Sequence, residues 1–231
     1  MKDNLNNECI ICQAPLEYFN ESQMAKCEIC GKHEATKALC KNKHYVCNEC
    51  HSYGIDASIQ ICLTENSKNP YEILNKLMHH PFCHIHGPEH HIMVGASLIT
   101  AYKNAGGNIN LVNSLNEIYI RGKSVPGGAC GFWGACGAGI STGIFISIIS
   151  KSTPLSDKPY ALSNIMTSKS LMEIGRIGGP RCCKRNSFIS ILTAIDYITH
   201  NFGIILEKPK IHCNFSEKNN QCITNKCPFY K

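Results

Sequence analysis

Sixteen cysteines in 231 residues constrain this chain more than any other feature. Cysteine at that density is held either by disulfides or by metal. Residues Met1 to Glu8 are polar and offer no apolar signal core, so the expectation is a cytoplasmic chain whose cysteines are metal ligands. The long apolar helical segments further along argue the same way, because small disulfide scaffolds rarely carry them. The most apolar stretch, Ile140 to Ile149, is broken by Ser141, Thr142, Gly143 and Ser147 and falls short of the roughly 20 residues that cross a bilayer. No membrane partner is expected.

The formal charge of +6 counts every cysteine as a neutral thiol. Metal ligands are thiolates, so two zinc ions adding 4 charges and seven thiolates removing 7 bring that +6 to about +3. The charged residues are scattered, with no long Lys/Arg run, and nucleic acid is not an expected partner.

The first cysteine group reads Cys27-x2-Cys30-x9-Cys40-x3-His44-x2-Cys47-x2-Cys50, with Cys9-x2-Cys12 upstream. Two residues between cysteines let a tight turn aim both sulfurs at one ion, and the eight ligands suffice for two tetrahedral zinc sites. Such closed sites fold a segment too short to bury its own core. Over its first six ligands the order resembles cross-brace zinc domains of the RING type, with Cys9 and Cys12 standing in for the missing last pair. That resemblance implies one zinc on Cys27, Cys30, Cys47 and Cys50 and the other on Cys9, Cys12, Cys40 and His44. A ribbon on Cys9, Cys12, Cys27 and Cys30, with Cys40, Cys47, Cys50 and one of His33, His44 or His51 in the second site, is the alternative.

From about residue 60 the pattern turns helical, and the expected class is mainly α, a helical domain preceded by a small zinc-binding module. Asn69-Pro70 can cap and start a helix reaching about His80. Further helices are expected at about Glu89 to Asn104, Asn110 to Arg121 (ended by Gly122), Gly137 to Ser150, Ser156 to Ile177 and Lys184 to Asn201. No alternation is long enough for a sheet, apart from one short strand at Gly203 to Leu206. The expected organisation is a double zinc module at 1–58, a helical metal- or cluster-binding domain at 59–205 and a cysteine-containing tail at 206–231.

Two glycine-rich loops, Gly127 to Gly139 with Cys130 and Cys136, and Gly178 to Asn186 with Cys182 and Cys183, each lead into a helix. Thiolates and anionic clusters are stabilised at helix N-termini, and glycine lets backbone approach a bulky cofactor. The tail adds Cys213, Cys222 and Cys227-Pro228, a cysteine-proline pair of the kind found in iron–sulfur ligation. Three tail cysteines need a fourth ligand: Cys182, Cys183, Cys83 or a substrate. The segment from His79 to His91 concentrates histidines, Cys83 and Glu89, with His84, His86, Glu89 and His90 as candidate acid/base groups or metal ligands.

Through His80 to His84, His86 to His91, Pro126 to Gly139 and Gly178 to Arg185, the body resembles an uncharacterised family of cysteine-rich proteins of anaerobes, a domain of unknown function. Gly179 to Asn186 before an apolar helix, the Cys130 to Gly139 loop and His86 to His91 are also similar to segments of iron–sulfur L-serine dehydratases and cysteine desulfidases. This chain departs from them at Met172, where they carry a cysteine, and at Glu89 and His90, where they carry serines. The second resemblance implies a [4Fe–4S] lyase in which one iron stays open as a Lewis acid. A residue of the 84–91 segment would move the proton, and Arg181, Lys184 or Arg185 would pair the carboxylate of a small-molecule substrate. A non-catalytic metal or sulfur carrier, or a zinc-based adaptor, is the alternative; a homo-oligomer is compatible with either.

Overall fold

The computed structural model of the chain describes residues 9, 11–12, 14–51 and 55–230. The polar opening at 1–8 lies outside the described residues.

The chain begins with an antiparallel hairpin, β1 (Leu16–Lys26) against β2 (His33–Cys40). Its register runs from Leu16 opposite Cys40 to Lys26 opposite His33 and shifts between Tyr18 and Gln23, where β1 carries extra residues. The sequence pattern predicts no sheet here, because both faces of β1 are largely exposed and no alternation marks a buried side. A hairpin with so little buried surface is marginal by itself. Cysteine pairs sit at its ends instead: Cys27 and Cys30 follow β1, and Cys40 closes β2.

The rest is mainly helical: α1 (Asn48–His51), α2 (Asp56–Thr64), α3 (Pro70–Met78), α4 (His90–Asn104), α5 (Leu111–Lys123), α6 (Cys130–Trp133), α7 (Gly137–Ile149), α8 (Lys158–Ile177) and α9 (Cys183–Phe202). The Asn69 side chain accepts from the Tyr71 and Glu72 amides at 3.0 and 3.4 Å, so α3 starts where Asn-Pro predicts. Helix α5 runs past the expected stop at Gly122, whose missing side chain lets α5 lie against the His91 backbone of α4. Helix α2 is absent from the sequence expectations; its Ile59 and Cys62 face the core.

Helix α4 is the axis of the body, buried at every residue from His90 to Tyr102 and packed on α3, α5, α7 and α9. Where α7 crosses α8, Gly143 approaches so closely that a Cβ there would overlap the Thr167 hydroxyl. No described helix is long and apolar enough to cross a membrane.

Beyond α9 the chain is extended but pairs with no strand, so the expected strand at Gly203 to Leu206 does not form. Its side chains anchor it instead: Leu206, Ile211, Phe215 and Phe229 join the body's core. Phe229 meets Phe188 of α9 edge-on at 5.4 Å, and the Cys213 amide donates to the Phe229 carbonyl at 2.8 Å. This closed loop brings Cys213, Cys222 and Cys227 to the N-terminus of α9.

Candidate metal centres

In the N-terminal module the ligand atoms gather as two groups, Cys9, Cys12, Cys40 and His44, and Cys27, Cys30, Cys47 and Cys50, each within 4.8 Å of one another. The interleaving of first with third pair and second with fourth is the cross-brace arrangement; the ribbon set is not assembled. Sulfur separations of 3.8 Å (Cys12 to Cys40) and 3.6 Å (Cys30 to Cys47) are what a tetrahedron with metal–sulfur bonds of about 2.3 Å requires. Backbone amides of His44 and Cys47 point at the Cys40 and Cys27 sulfurs at 3.2 and 3.3 Å. An amide hydrogen bond at Ala14 leads those that pull the Cys12 thiol down to about 6. Both groups could bind a metal ion such as zinc. His33 lies exposed on β2, outside either group.

A second kind of site lies at the N-terminus of α9, where Cys182, Cys213, Cys222 and Cys227 line one small cavity. No three of these sulfurs come within 4.8 Å of one another, in contrast to the module's groups. Backbone amides of Arg185, Phe215 and Thr224 donate to the Cys182, Cys213 and Cys222 sulfurs, each at 3.4 Å, and Asn219 Nδ2 approaches Cys182 at 3.5 Å. Lys184 and Arg185, 1% and 3% exposed, line the same cavity. Burial pushes the Cys182 and Cys213 thiols up, so thiolates there call for compensating positive charge.

The neighbouring Cys183 points the other way. Its sulfur accepts from the Gly87 amide, and a charge on Cys136 opposes its ionisation, as one on Cys130 opposes that of Cys136. Cys136 occupies the N-cap position of α7 and receives Asn186 Nδ2 at 3.3 Å. The glycines of the first loop have other neighbours than a cofactor. Gly137 leaves room for the His91 ring and Gly127 for the Asn48 side chain, whereas Gly128, Gly131 and Gly134 border open space.

Glu89 is the third focus, 1% exposed at the start of α4. Its Oε1 accepts from the His84 amide at 2.8 Å, which orients the carboxylate. His84 Nδ1 stands 3.4 Å and His51 Nδ1 3.7 Å from its oxygens, too far for good hydrogen bonds. Gly87 makes room for it, since a Cβ there would overlap the carboxylate. On its other side are Cys83 and His90; His90 Nδ1 is 3.0 Å from the Gly87 carbonyl, and Lys184 Nζ donates to Cys83 Sγ at 2.9 Å. His91 turns away to the Val125 carbonyl at 3.0 Å. His86 lies beside Asn219 at 3.2 Å, and burial lowers its imidazole to about 4.

A cleft of about 480 Å³ opens between the hairpin and the body. Its walls include Tyr18, His51, His84, His86, Trp133 and Arg181. Of the three basic residues expected to meet a substrate carboxylate, only Arg181 lines this cleft, stacked 5.0 Å from the Tyr18 ring. Lys184 is committed to Cys83, and Arg185 donates to the Gly178 and Pro180 carbonyls at 2.8 Å, clamping the loop before α9. His51 carries no catalytic expectation from sequence, because it follows a zinc-type cysteine and its partners lie more than thirty positions away.

A family model described as "Family of unknown function (DUF5714)" matches residues 58–230. No curated protein and no solved structure matches the chain.

Proposed function

The chain belongs to this family of unknown function, and from its geometry we propose an iron–sulfur protein in which Cys182, Cys213, Cys222 and Cys227 hold a [4Fe–4S] cluster beside a reactive cleft. The observation that carries this reading is the cavity itself: four cysteines from distant positions, at a helix N-terminus, with amide donors on three of the sulfurs. A single tetrahedral ion would draw the sulfurs to about 3.8 Å. A cluster holds its cysteines further apart, and hydrogen bonds to the sulfurs tune it. The buried Lys184 and Arg185 supply counter-charge for such a dianionic group, and Arg185 Nε has no other hydrogen-bond partner. The void measures about 20 Å³, so this reading requires the turns at 213–227 to open outward when a cluster is seated.

When bound there, a cluster fully ligated by cysteine supplies one-electron chemistry. Lys184 links it to the Glu89 group, because it lines the cavity while its ammonium meets Cys83, which shares a group with Glu89 and His90. Arg181, on the cleft wall, pairs an anionic substrate in this reading. In this reading residues 1–58 form the zinc module and one wall of the cleft, 59–205 the catalytic body, and 206–231 the strap that completes the cluster site.

A second reading, an open-iron lyase of dehydratase or desulfidase type, is favoured by one observation: Cys136 lies within electrostatic reach of both Cys130 and Cys183, and Cys183 within reach of Arg181. Iron and sulfide content after anaerobic purification tests both. The first reading expects about four irons per chain, lost on Cys222→Ala and kept on Cys130→Ala. Loss on Cys130→Ala with retention on Cys222→Ala favours the lyase instead.

A further inference from the structure

We propose that His51, His84 and Glu89 form a separate mononuclear site for a divalent first-row transition ion, opening onto the cleft. These three side chains bring His51 Nδ1, His84 Nδ1 and a Glu89 oxygen within 4.8 Å of one another. Glu89 is buried and the two histidines are partly exposed at the cleft, yet the facing atoms His51 Nδ1, His84 Nδ1 and Glu89 Oε2 are shielded from solvent and have no hydrogen-bond partner. Three unpaired polar atoms converging on one point is an arrangement that a cation resolves and that an apolar or hydrogen-bonded core avoids.

The surroundings are built to hold that geometry. Glu89 Oε1 is fixed by the His84 amide at 2.8 Å, which leaves Oε2 for the ion. Gly87 yields the space the carboxylate occupies. The imidazoles lie 4.7 Å apart, tilted by 59°. The 3.7 Å between His51 Nδ1 and Glu89 Oε2 suits two donors about 2.1 Å from a shared metal.

In the competing group, Cys83, Glu89 and His90, two members are already engaged, Cys83 by the Lys184 ammonium and His90 Nδ1 by the Gly87 carbonyl. Two imidazoles and one carboxylate are the donor set of catalytic zinc and of mononuclear ferrous sites, which keep positions open for water or substrate. Here His51 and His84 line the cleft, so the open positions face it. One ligand comes from α1 of the hairpin module and two from the body, so a bound ion also fastens the two walls of the cleft together. The inference does not depend on the cluster.

The test is Co2+ uptake by the full chain with its zinc and iron in place. Cobalt bound is counted by elemental analysis, and cobalt K-edge X-ray absorption separates nitrogen and oxygen ligands from sulfur. The expected result is about one added cobalt with nitrogen/oxygen ligation, lost in both His51→Ala and His84→Ala while zinc content and helical circular dichroism are kept. The inference is overturned if wild-type protein takes up no added cobalt, if His51→Ala binds as wild type does, or if the cobalt shows sulfur ligation that Cys83→Ser abolishes.

Discussion

The Lys184 ammonium, 1% exposed, lies 2.9 Å from the sulfur of Cys83, a residue 101 positions away. The two sides of the pair act against each other: burial pushes the Cys83 thiol up to about 12, and the adjoining ammonium pulls it down. A buried cation with no partner is costly, so each residue constrains the other. The pair also stands between the four-cysteine cavity and the Glu89 cluster.

Cys83→Ala strands the Lys184 charge and is expected to cost about 2–3 kcal/mol, the scale of losing a hydrogen bond to a charged group. The double variant Cys83→Ala with Lys184→Met is expected to recover much of that loss. Urea unfolding of the four proteins of this cycle measures the coupling. Additive effects contradict the pairing.

The two cysteine groups of the N-terminal module predict a specific pattern of zinc loss. Cys12→Ser and Cys30→Ser each remove one zinc, from different sites, because these residues fall in different groups. Combining Cys12→Ser with Cys40→Ser still leaves one zinc, whereas Cys12→Ser with Cys30→Ser leaves none. A ribbon pairing, with Cys12 and Cys30 in one site, gives the reverse outcome for the two double variants, read by zinc content after gel filtration.

Gly87→Ala is expected to abolish the added cobalt described above while sparing both zinc ions, because the new methyl occupies the place of the Glu89 carboxylate. Elemental analysis of the variant against wild type decides it. Cobalt uptake at the wild-type level would show that the carboxylate position is not needed.

Asn69→Ala removes the oxygen that caps α3 and is expected to lower stability by about 1 kcal/mol. Chemical denaturation reads the change. Asn69→Asp, which keeps an acceptor, is expected to stay near wild type.

Much of this architecture is legible in the residue order. Asn69-Pro70 announces a helix start because one side chain satisfies amides that the first turn leaves unpaired. The cysteine pairs announce metal because a two-residue spacing converges sulfurs. The divergence of Cys182 and Cys183 is not legible. They occupy the cap and first position of α9, and successive side chains there swing about 100° around the axis, so one joins the tail and the other the Cys136 side. The tail's return is equally hidden, since Phe215 and Phe229 pack into a core whose other residues, Phe188 of α9 among them, come from distant parts of the chain. His51 escapes notice because its role depends on how the hairpin module docks on the body, which no local pattern encodes.

The most direct test is the Mössbauer spectrum of anaerobically purified, iron-loaded protein compared with its Cys222→Ala variant. Four tetrahedral, all-sulfur irons in one cluster, lost or converted on removing Cys222, is the predicted result. Iron-free protein carrying a third zinc at Cys182, Cys213, Cys222 and Cys227, or a cluster indifferent to Cys222, would contradict it.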